Sequence, residues 1–384
     1  MKRKVCVVVT ARPSYSRIKT ALAAMQRHPA IELQLVVAAS ALLDRYGSAV
    51  NVIERDGFKI DERVFMVLEG DSPAAMAKTT GLGILELAAR FDVLKPDVVV
   101  TIADRYETIA TAIAASYMNV ALAHVQGGEV SGSIDEKVRH AVTKLADVHL
   151  VSTQKARERV IAMGEDPATV HCTGCPSIDL AAEIPGASAL GFDPLAKYGG
   201  VGAPLDLSRG YIVVMQHPVT TEYQRARAHV TETLRAMYEL GLPTLWFWPN
   251  VDAGSDGTSN GVRSFRETVA PANIRFFKNM EPSDFLRLIH NAKCLVGNSS
   301  VGIRESGFLG VPVVNIGSRQ AGRERAANVV DVDYDHVQIR AAVEQQVARG
   351  VYPRDTLYGD GRAGTRIADL LAEVPLKIDK RLTY

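Results

Sequence analysis

The sequence predicts an α/β protein made of two Rossmann-like domains with a cleft between them. Three observations carry that expectation: a length of 384 residues, a repeated alternation of short apolar runs with helix-length segments, and one stretch near the middle where the alternation stops. A single hydrophobic core seldom serves so long a chain, so two domains of roughly 150–200 residues are expected.

In the first half the apolar runs fall at 5–10, 33–38, 98–102, 121–124 and 149–152, rich in Val, Ile and Leu. Short apolar strands separated by segments long enough for helices argue for a parallel sheet covered on both faces. From 176 to 208 the chain turns to Pro, Gly and Ala, as in Ile184-Pro185-Gly186, Tyr198-Gly199-Gly200 and Ala203-Pro204, which reads as a linker. The rhythm resumes at 211–215, 244–248, 274–277, 294–296 and 313–316. The expected domains are therefore 1–180 and 205–364. Open parallel sheets hold ligands at the carboxyl ends of their strands, so the loops that follow these runs are where chemistry is expected.

Charge and composition exclude several functions. Lys plus Arg number 44 against 43 Asp plus Glu, so no basic field draws the molecule to nucleic acid or to an anionic membrane. A small-molecule ligand is expected instead. No apolar run approaches the roughly 20 residues that span a bilayer. The run that follows Lys2, Arg3 and Lys4 is shorter than a secretory core of about 7–15 residues and reads as a first strand. Four cysteines do not make a disulfide framework. Cys172 and Cys175 form a lone C-x-x-C with no second ligand pair, so a reducing, cytoplasmic location is expected.

The loop after the first run, Thr10-Ala11-Arg12-Pro13-Ser14-Tyr15-Ser16-Arg17, has no glycine. The glycine-rich dinucleotide fingerprint is absent, and there is no P-loop, so phosphate would be held by cationic side chains, hydroxyls and helix N-termini. The segment 297–305, Gly-Asn-Ser-Ser-Val-Gly-Ile-Arg-Glu, follows an apolar run and is expected to open a helix whose unpaired N–H groups favour an anion. Ser299 and Ser300 would add hydroxyls for a diphosphate, and Glu305 would accept a ribose diol. The alternative is that Asn298 and Ser299 only cap that helix. Arg319, after the next run, brings a further cation.

Carboxylates collect on first-half loops: Asp104 in Ala103-Asp104-Arg105-Tyr106-Glu107, Glu129 after Gly127-Gly128, and Asp135 ahead of Arg139-His140. Each acid by itself reads equally well as a cap or a solvated loop residue. Together they suit removal and return of a proton, because burial and mutual repulsion separate the pKa values of paired carboxyls. His217, in Gln216-His217-Pro218, and the run 249–254 end strands of the second half with polar groups, and a ligand role for His217 is favoured over a structural one.

Taken in order, these segments resemble the hydrolysing UDP-N-acetylglucosamine 2-epimerases, a family that includes bacterial sialic-acid and legionaminic-acid pathway enzymes and the epimerase half of the animal bifunctional enzyme. The resemblance spans 5–371 and rests on Asp104-Arg105-Tyr106-Glu107, His124-Val125-Gln126-Gly127-Gly128-Glu129-Val130-Ser131-Gly132, Ile134-Asp135 with Arg139-His140-Ala141, Gln216-His217-Pro218, Pro249-Asn250-Val251-Asp252-Ala253-Gly254-Ser255, 297–305 and Tyr358-Gly359-Asp360-Gly361. It implies a GT-B-like fold in which 365–384 returns to pack on the first domain. It implies acid/base roles for Asp104, Glu129 and Asp135, and leaving-group assistance by His217. Substrate contacts would fall on Arg12, Ser16, Arg105, Arg139, Asn250, Asp252, Met280, Ser299, Ser300, Gly302, Glu305 and Arg319. A nucleotide sugar is the implied partner, with no cofactor, no metal and a homo-oligomeric state, dimer or tetramer. The implied reaction is 2-epimerisation of a UDP-linked N-acetylamino sugar with release of UDP, in sialic or related nonulosonic acid biosynthesis. A non-hydrolysing epimerase, a GT-B glycosyltransferase and a catalytically silent binding protein are the alternatives. In this sequence Ala103 stands where the family's Gly-Asp-Arg has glycine, and Arg17 where a Lys is found.

Overall fold

The computed structural model describes residues 2–44, 48–69, 73–130, 134–184, 189–249 and 254–383. The sequence-level features at Ser131-Gly132, Pro185-Gly186, Asn250 and Asp252 lie outside the described residues.

Among the described residues, thirteen strands form two sheets, every strand pairing parallel. The first contains β1 (Arg3–Val9), β2 (Ile31–Ala38), β3 (Glu62–Val64), β4 (Val98–Ile102), β5 (Ala121–Val125), β6 (Val148–Val151) and β7 (Val170–Cys172), in the order β3-β2-β1-β4-β5-β6-β7. The second contains β8 (Ile212–Met215), β9 (Thr244–Phe247), β10 (Ile274–Phe277), β11 (Cys294–Gly297), β12 (Val313–Ile316) and β13 (Val329–Val332), in the order β10-β9-β8-β11-β12-β13. The inner strands read as continuous apolar runs because helices cover both faces. Val5, Val7 and Val9 of β1 meet one apolar cluster and Cys6 and Val8 meet another. The α/β class expected from the sequence is the one observed.

Three strands were not announced by apolar runs: β3, β7 and β13. All lie at sheet edges, and two carry charge facing outward, as in Glu62-Arg63 and Asp331. An edge strand has one face or flank in water and needs less apolar sequence. The stretch read as a linker is also more ordered than expected. It contains the helices Pro176–Ala182 and Pro194–Tyr198, and Val201 bridges to Phe276. Proline signalled interruption in the sequence, but Pro194 sits in the first turn of its helix, where its missing N–H costs nothing, with Asp193 accepting from Leu195 N–H at 2.8 Å as the cap.

The chain divides into a unit of Met1–Val130, Ile134–Asp179 and Tyr358–Tyr384 and a unit of Leu180–Leu357. The return to the first unit thus begins at Tyr358, whose carbonyl accepts from Cys175 N–H at 2.7 Å. The final helix, Ala363–Glu373, buries Ile367, Ala368 and Leu371 in the core beneath β1. Asp179 accepts from Ala363 N–H at 2.9 Å and Gly364 N–H at 2.7 Å, which satisfies the helix's first donors. At its far end Arg3 donates to the carbonyls of Leu371 and Val374, both at 2.8 Å. A Cβ on Gly364 would come within 2.6 Å of the Thr20 backbone, so only glycine lets this helix pack on Lys19–Arg27.

Candidate functional site

In the first unit the strand order reverses between β1 and β4, so the loops that leave these two strands diverge and open a crevice at their carboxyl ends. Arg12 and Ser16 lie on the short helix Arg12–Ser16 after β1, where the Ser16 hydroxyl bonds the Arg12 carbonyl at 3.4 Å. Arg17, next along, reaches Asp104 at 3.9 Å. Asp104 follows β4 through Ala103, which adopts a left-handed φ of 65°. That conformation explains the glycine usual at this position: an L-residue there costs about 1–2 kcal/mol.

Ala103 is held in place from both sides. Its N–H donates to Val125 O at 2.9 Å, and its carbonyl accepts from His124 Nε2 at 2.9 Å. Because a carbonyl only accepts, Nε2 carries the proton and Nδ1 accepts from the Thr143 hydroxyl at 3.2 Å. Complete burial pushes the His124 pKa down to about 4, which keeps the ring neutral. A neutral imidazole therefore ties β5 to the loop carrying Asp104 and to the helix Ile134–Leu145.

That helix carries Asp135 in its first turn and Arg139 one turn later on the same face. Arg139 is only 1% exposed. Its guanidinium bonds Asp104 Oδ2, donates to the Glu129 carbonyl at 2.9 Å, and lies 3.7 Å from Glu136. Arg139, which the resemblance expects to meet substrate, is engaged with two strand-end loops at once. Glu129 is buried at 4% exposure, and the turn that delivers it runs through left-handed Gln126 and Gly128. A Cβ on Gly128 would lie 2.3 Å from the Ala156 carbonyl, so this position admits only glycine. Arg105 turns back toward the fully buried Glu107, with Nε 3.3 Å from its carboxylate.

The second unit repeats the arrangement with other chemistry. Its order reverses between β8 and β11, and the two loops there meet through Asn298. Buried completely, the Asn298 amide accepts from His217 N–H at 2.7 Å and donates to His217 O at 2.9 Å. The Asn298 carbonyl accepts from Gln320 at 2.8 Å and from Arg319 at 3.3 Å. Gly297, with φ of 130°, allows this approach, since a Cβ there would sit 2.2 Å from Met215 O. Of the two candidate caps, Ser299 takes the role, accepting from Val301 N–H at 3.5 Å, while Asn298 fixes the His217 loop.

The single helix expected after β11 is two short ones, Ser300–Ile303 and Glu305–Leu309, joined at Arg304. Three serines and two glycines in 298–307 give poor helix propensity. Gly302 also packs closely on β12, where a Cβ would stand 3.0 Å from Val313. Glu305 opens the second helix at 9% exposure, and its Oε2 is buried with no hydrogen-bond partner among the described residues. Met280, after β10, is buried with its N–H on Asn279 at 3.0 Å. Sequence reasoning gave no role to His124, a histidine inside an apolar strand, or to Gln320.

The family model described as UDP-N-acetylglucosamine 2-epimerase matches residues 23–372. The chain belongs to this family. It is 31% identical over 376 residues to a UDP-N,N'-diacetylbacillosamine 2-epimerase (hydrolyzing) of Legionella pneumophila, covering 98% of this chain and 97% of that one. It is 30% identical to a UDP-N-acetylglucosamine 2-epimerase of Neisseria meningitidis serogroup B, over 97% of this chain and 95% of that relative. In fold it matches the crystal structure of a Neisseria meningitidis UDP-GlcNAc 2-epimerase bound to UDP-GlcNAc, with a TM-score of 0.80, 16% identity, and coverage of 96% and 99% of the two chains. The α/β, GT-B-like fold that the resemblance implied is the fold this family member has.

Proposed function

We propose that the protein is a hydrolysing 2-epimerase of UDP-N-acetylglucosamine or a close derivative, releasing UDP and the free 2-epimerised N-acetylmannosamine-type sugar. The observation that carries this reading is the buried Arg139, which holds the Asp104 side chain and the Glu129 backbone together from a helix whose first turn bears Asp135. Binding alone does not need the Asp104 carboxylate and the Glu129 loop drawn to one buried guanidinium on the helix that bears Asp135. Proton removal and return on opposite faces of one carbon does.

The sugar C2–H is not adjacent to a carbonyl, so its loss has to accompany departure of the diphosphate from C1 through an oxocarbenium-like state. The C1–O bond breaks with its electron pair leaving on UDP, one carboxylate takes the C2 proton, and a glycal forms. Water then adds its hydroxyl at C1 while a proton returns to C2 from the other face. Asp104, Glu129 and Asp135 are assigned to these transfers, with Arg139 as the residue that positions them. His217, Ser299, Ser300, Arg319, Arg12 and Arg105 would stabilise the departing diphosphate as charge grows on it, and Glu305, with its unfilled acceptor, would take the ribose diol. Ser16, Asn250, Asp252, Met280 and Gly302 are assigned to the remaining nucleotide and sugar contacts. The Legionella relative, named as hydrolyzing and alignable end to end, supports the choice of a hydrolytic outcome.

Proton NMR in deuterated water tests the proposal with UDP-N-acetylglucosamine and UDP-N,N'-diacetylbacillosamine as alternative substrates. Free sugar deuterated at C2 together with released UDP is the expected result. A C2-exchanged sugar still carrying its diphosphate would identify a non-hydrolysing epimerase instead. Turnover that requires a sugar acceptor would identify a transferase.

A further inference from the structure

Past the helix Ala363–Glu373 the chain continues as coil, and residues 377–383 are exposed along their whole length. The apolar side chains of this segment, Ile378 and Leu382, stay in water. One side chain goes the other way. That of Lys380 is only 25% exposed, and its ammonium meets the Glu165 carboxylate at 2.5 Å. Thr383 N–H, donating to Gly164 O at 3.1 Å, holds the segment down beside it.

Glu165 does not require this partner. It is buried and already accepts from Lys144 Nζ at 2.5 Å and from His149 Nε2 at 3.0 Å, so one carboxylate and one ammonium balance without Lys380. A second ammonium brought out of water to a charge already matched carries a desolvation cost that ion pairing alone does not explain. The other contacts of Lys380 do explain it. It donates to Thr143 O at 3.3 Å and to Ala146 O, carbonyls at the end of the helix Ile134–Leu145. The last carbonyls of a helix lack partners within it, and a cation there also offsets the negative end of the helix dipole.

That helix starts at the carboxyl ends of the strands, where it carries Asp135 and Arg139, and finishes at their amino ends, just before β6, where it meets Lys380. Thr143 faces both ways. Its carbonyl accepts from Lys380, and its hydroxyl bonds Nδ1 of His124, whose Nε2 holds Ala103 O next to Asp104. Arg139, one turn earlier, holds the Asp104 carboxylate and the Glu129 carbonyl directly. Both supports of Asp104 belong to one helix, so a shift of that helix along its axis moves both together.

We infer that Lys380 is a positioning residue for the reaction: by capping the far end of this helix it fixes how far Arg139 and Thr143 reach toward the loops of Asp104 and Glu129. The inference rests on the proposed assignment of those acids to proton transfer.

Lys380→Met in the full chain provides the test. Methionine is nearly as long and uncharged, and the Glu165–Lys144 pair survives, so the variant is expected to fold. With UDP-N-acetylglucosamine as substrate, kcat should fall about tenfold while KM and the Kd for UDP stay within about twofold, since a 1 Å misplacement of reacting groups costs roughly a hundredfold and a smaller shift costs less. Lys380→Arg, which still caps the carbonyls, should recover kcat to within about threefold. Leu371→Ala is the comparison, because it loosens the core beneath β1 without touching the helix cap. It should lower the unfolding midpoint and keep kcat, and a merely stabilising Lys380 would behave the same way. Amide hydrogen exchange reads the effect with no substrate present: peptides covering 103–107 and 126–129 should exchange about tenfold faster in Lys380→Met, and those of the second unit at the wild-type rate. Faster exchange alongside a wild type that turns over no UDP-linked sugar would refute the assigned reaction while upholding the cap. Unchanged exchange, an unchanged kcat, a kcat loss matched by weaker UDP binding, or an equal kcat loss in Leu371→Ala would each overturn the inference.

Discussion

Replacing Arg139 with methionine removes a guanidinium that is 1% exposed and leaves Asp104, itself 7% exposed, without its principal counter-charge. Breaking one side of a buried ion pair costs about 3–5 kcal/mol, and the Glu129 carbonyl loses its 2.9 Å donor as well. Arg17 stays 3.9 Å from the other Asp104 oxygen and offsets part of the loss, which places the expected cost near the lower end of that range. With a urea m-value of about 1–3 kcal/mol per molar, the first-unit transition should move down by roughly 1–3 M. Both tryptophans, Trp246 and Trp248, lie in the second unit. Their fluorescence should therefore report a transition that does not move, while far-UV ellipticity reports the one that does. Adding Asp104→Asn to Arg139→Met should recover about 2 kcal/mol, because the stranded charge is gone, yet turnover should stay abolished. A destabilisation below about 1 kcal/mol, or a second substitution that adds to the loss, would refute the idea that Arg139 holds the acids in place.

Three further outcomes are expected. Asp104→Asn, Glu129→Gln and Asp135→Asn should each slow turnover at least about a hundredfold with UDP affinity retained by calorimetry; equal losses in both would make the residue a ligand rather than a proton carrier. Glu305→Gln should weaken UDP by about 1–3 kcal/mol, the range for a hydrogen bond to a charged group, but leave 2',3'-dideoxy-UDP unaffected, and a matched loss with both nucleotides would deny the carboxylate its ribose role. Burial holds the His124 pKa down to about 4 in the folded chain, below the ordinary histidine value of 6.5. The unfolded chain therefore binds the extra proton first as pH falls, and stability should decline between pH 6.5 and 4 by on the order of 3 kcal/mol from this group. Acid titration of unfolding midpoints should show a shallower decline in His124→Gln, and an unchanged slope would place that pH dependence elsewhere.

The parts legible in the sequence are those governed by local pattern. Inner strands such as β4 and β5 are buried on both faces and so read as nearly continuous apolar runs, broken only by the hydrogen-bonded His124 and by Thr101, and β3, β7 and β13 escaped notice because edge strands carry no such requirement. Asp104 and Glu129 stood out as acids at the ends of apolar runs. What joins them did not, because helical periodicity places Arg139 on a face without saying which loop that face will meet. The break at Arg304 was hidden for a related reason: Gly302 is pressed against Val313, a contact between segments that sequence spacing does not record.

The last helix has a consequence for the order in which this protein is made. Ile367, Ala368 and Leu371 fill the core beneath β1, although nearly the whole second unit is translated between Asp179 and Tyr358. At about 5–20 residues per second, the ribosome leaves the first sheet waiting on the order of ten seconds or longer with an uncovered apolar trough and with Asp179 lacking the two N–H groups it will accept. The second unit, continuous in sequence, is free to fold during that interval. Folding of the first-made strands is therefore finished by the last-made helix, and a nascent chain stalled before Tyr358 would present that trough to chaperones.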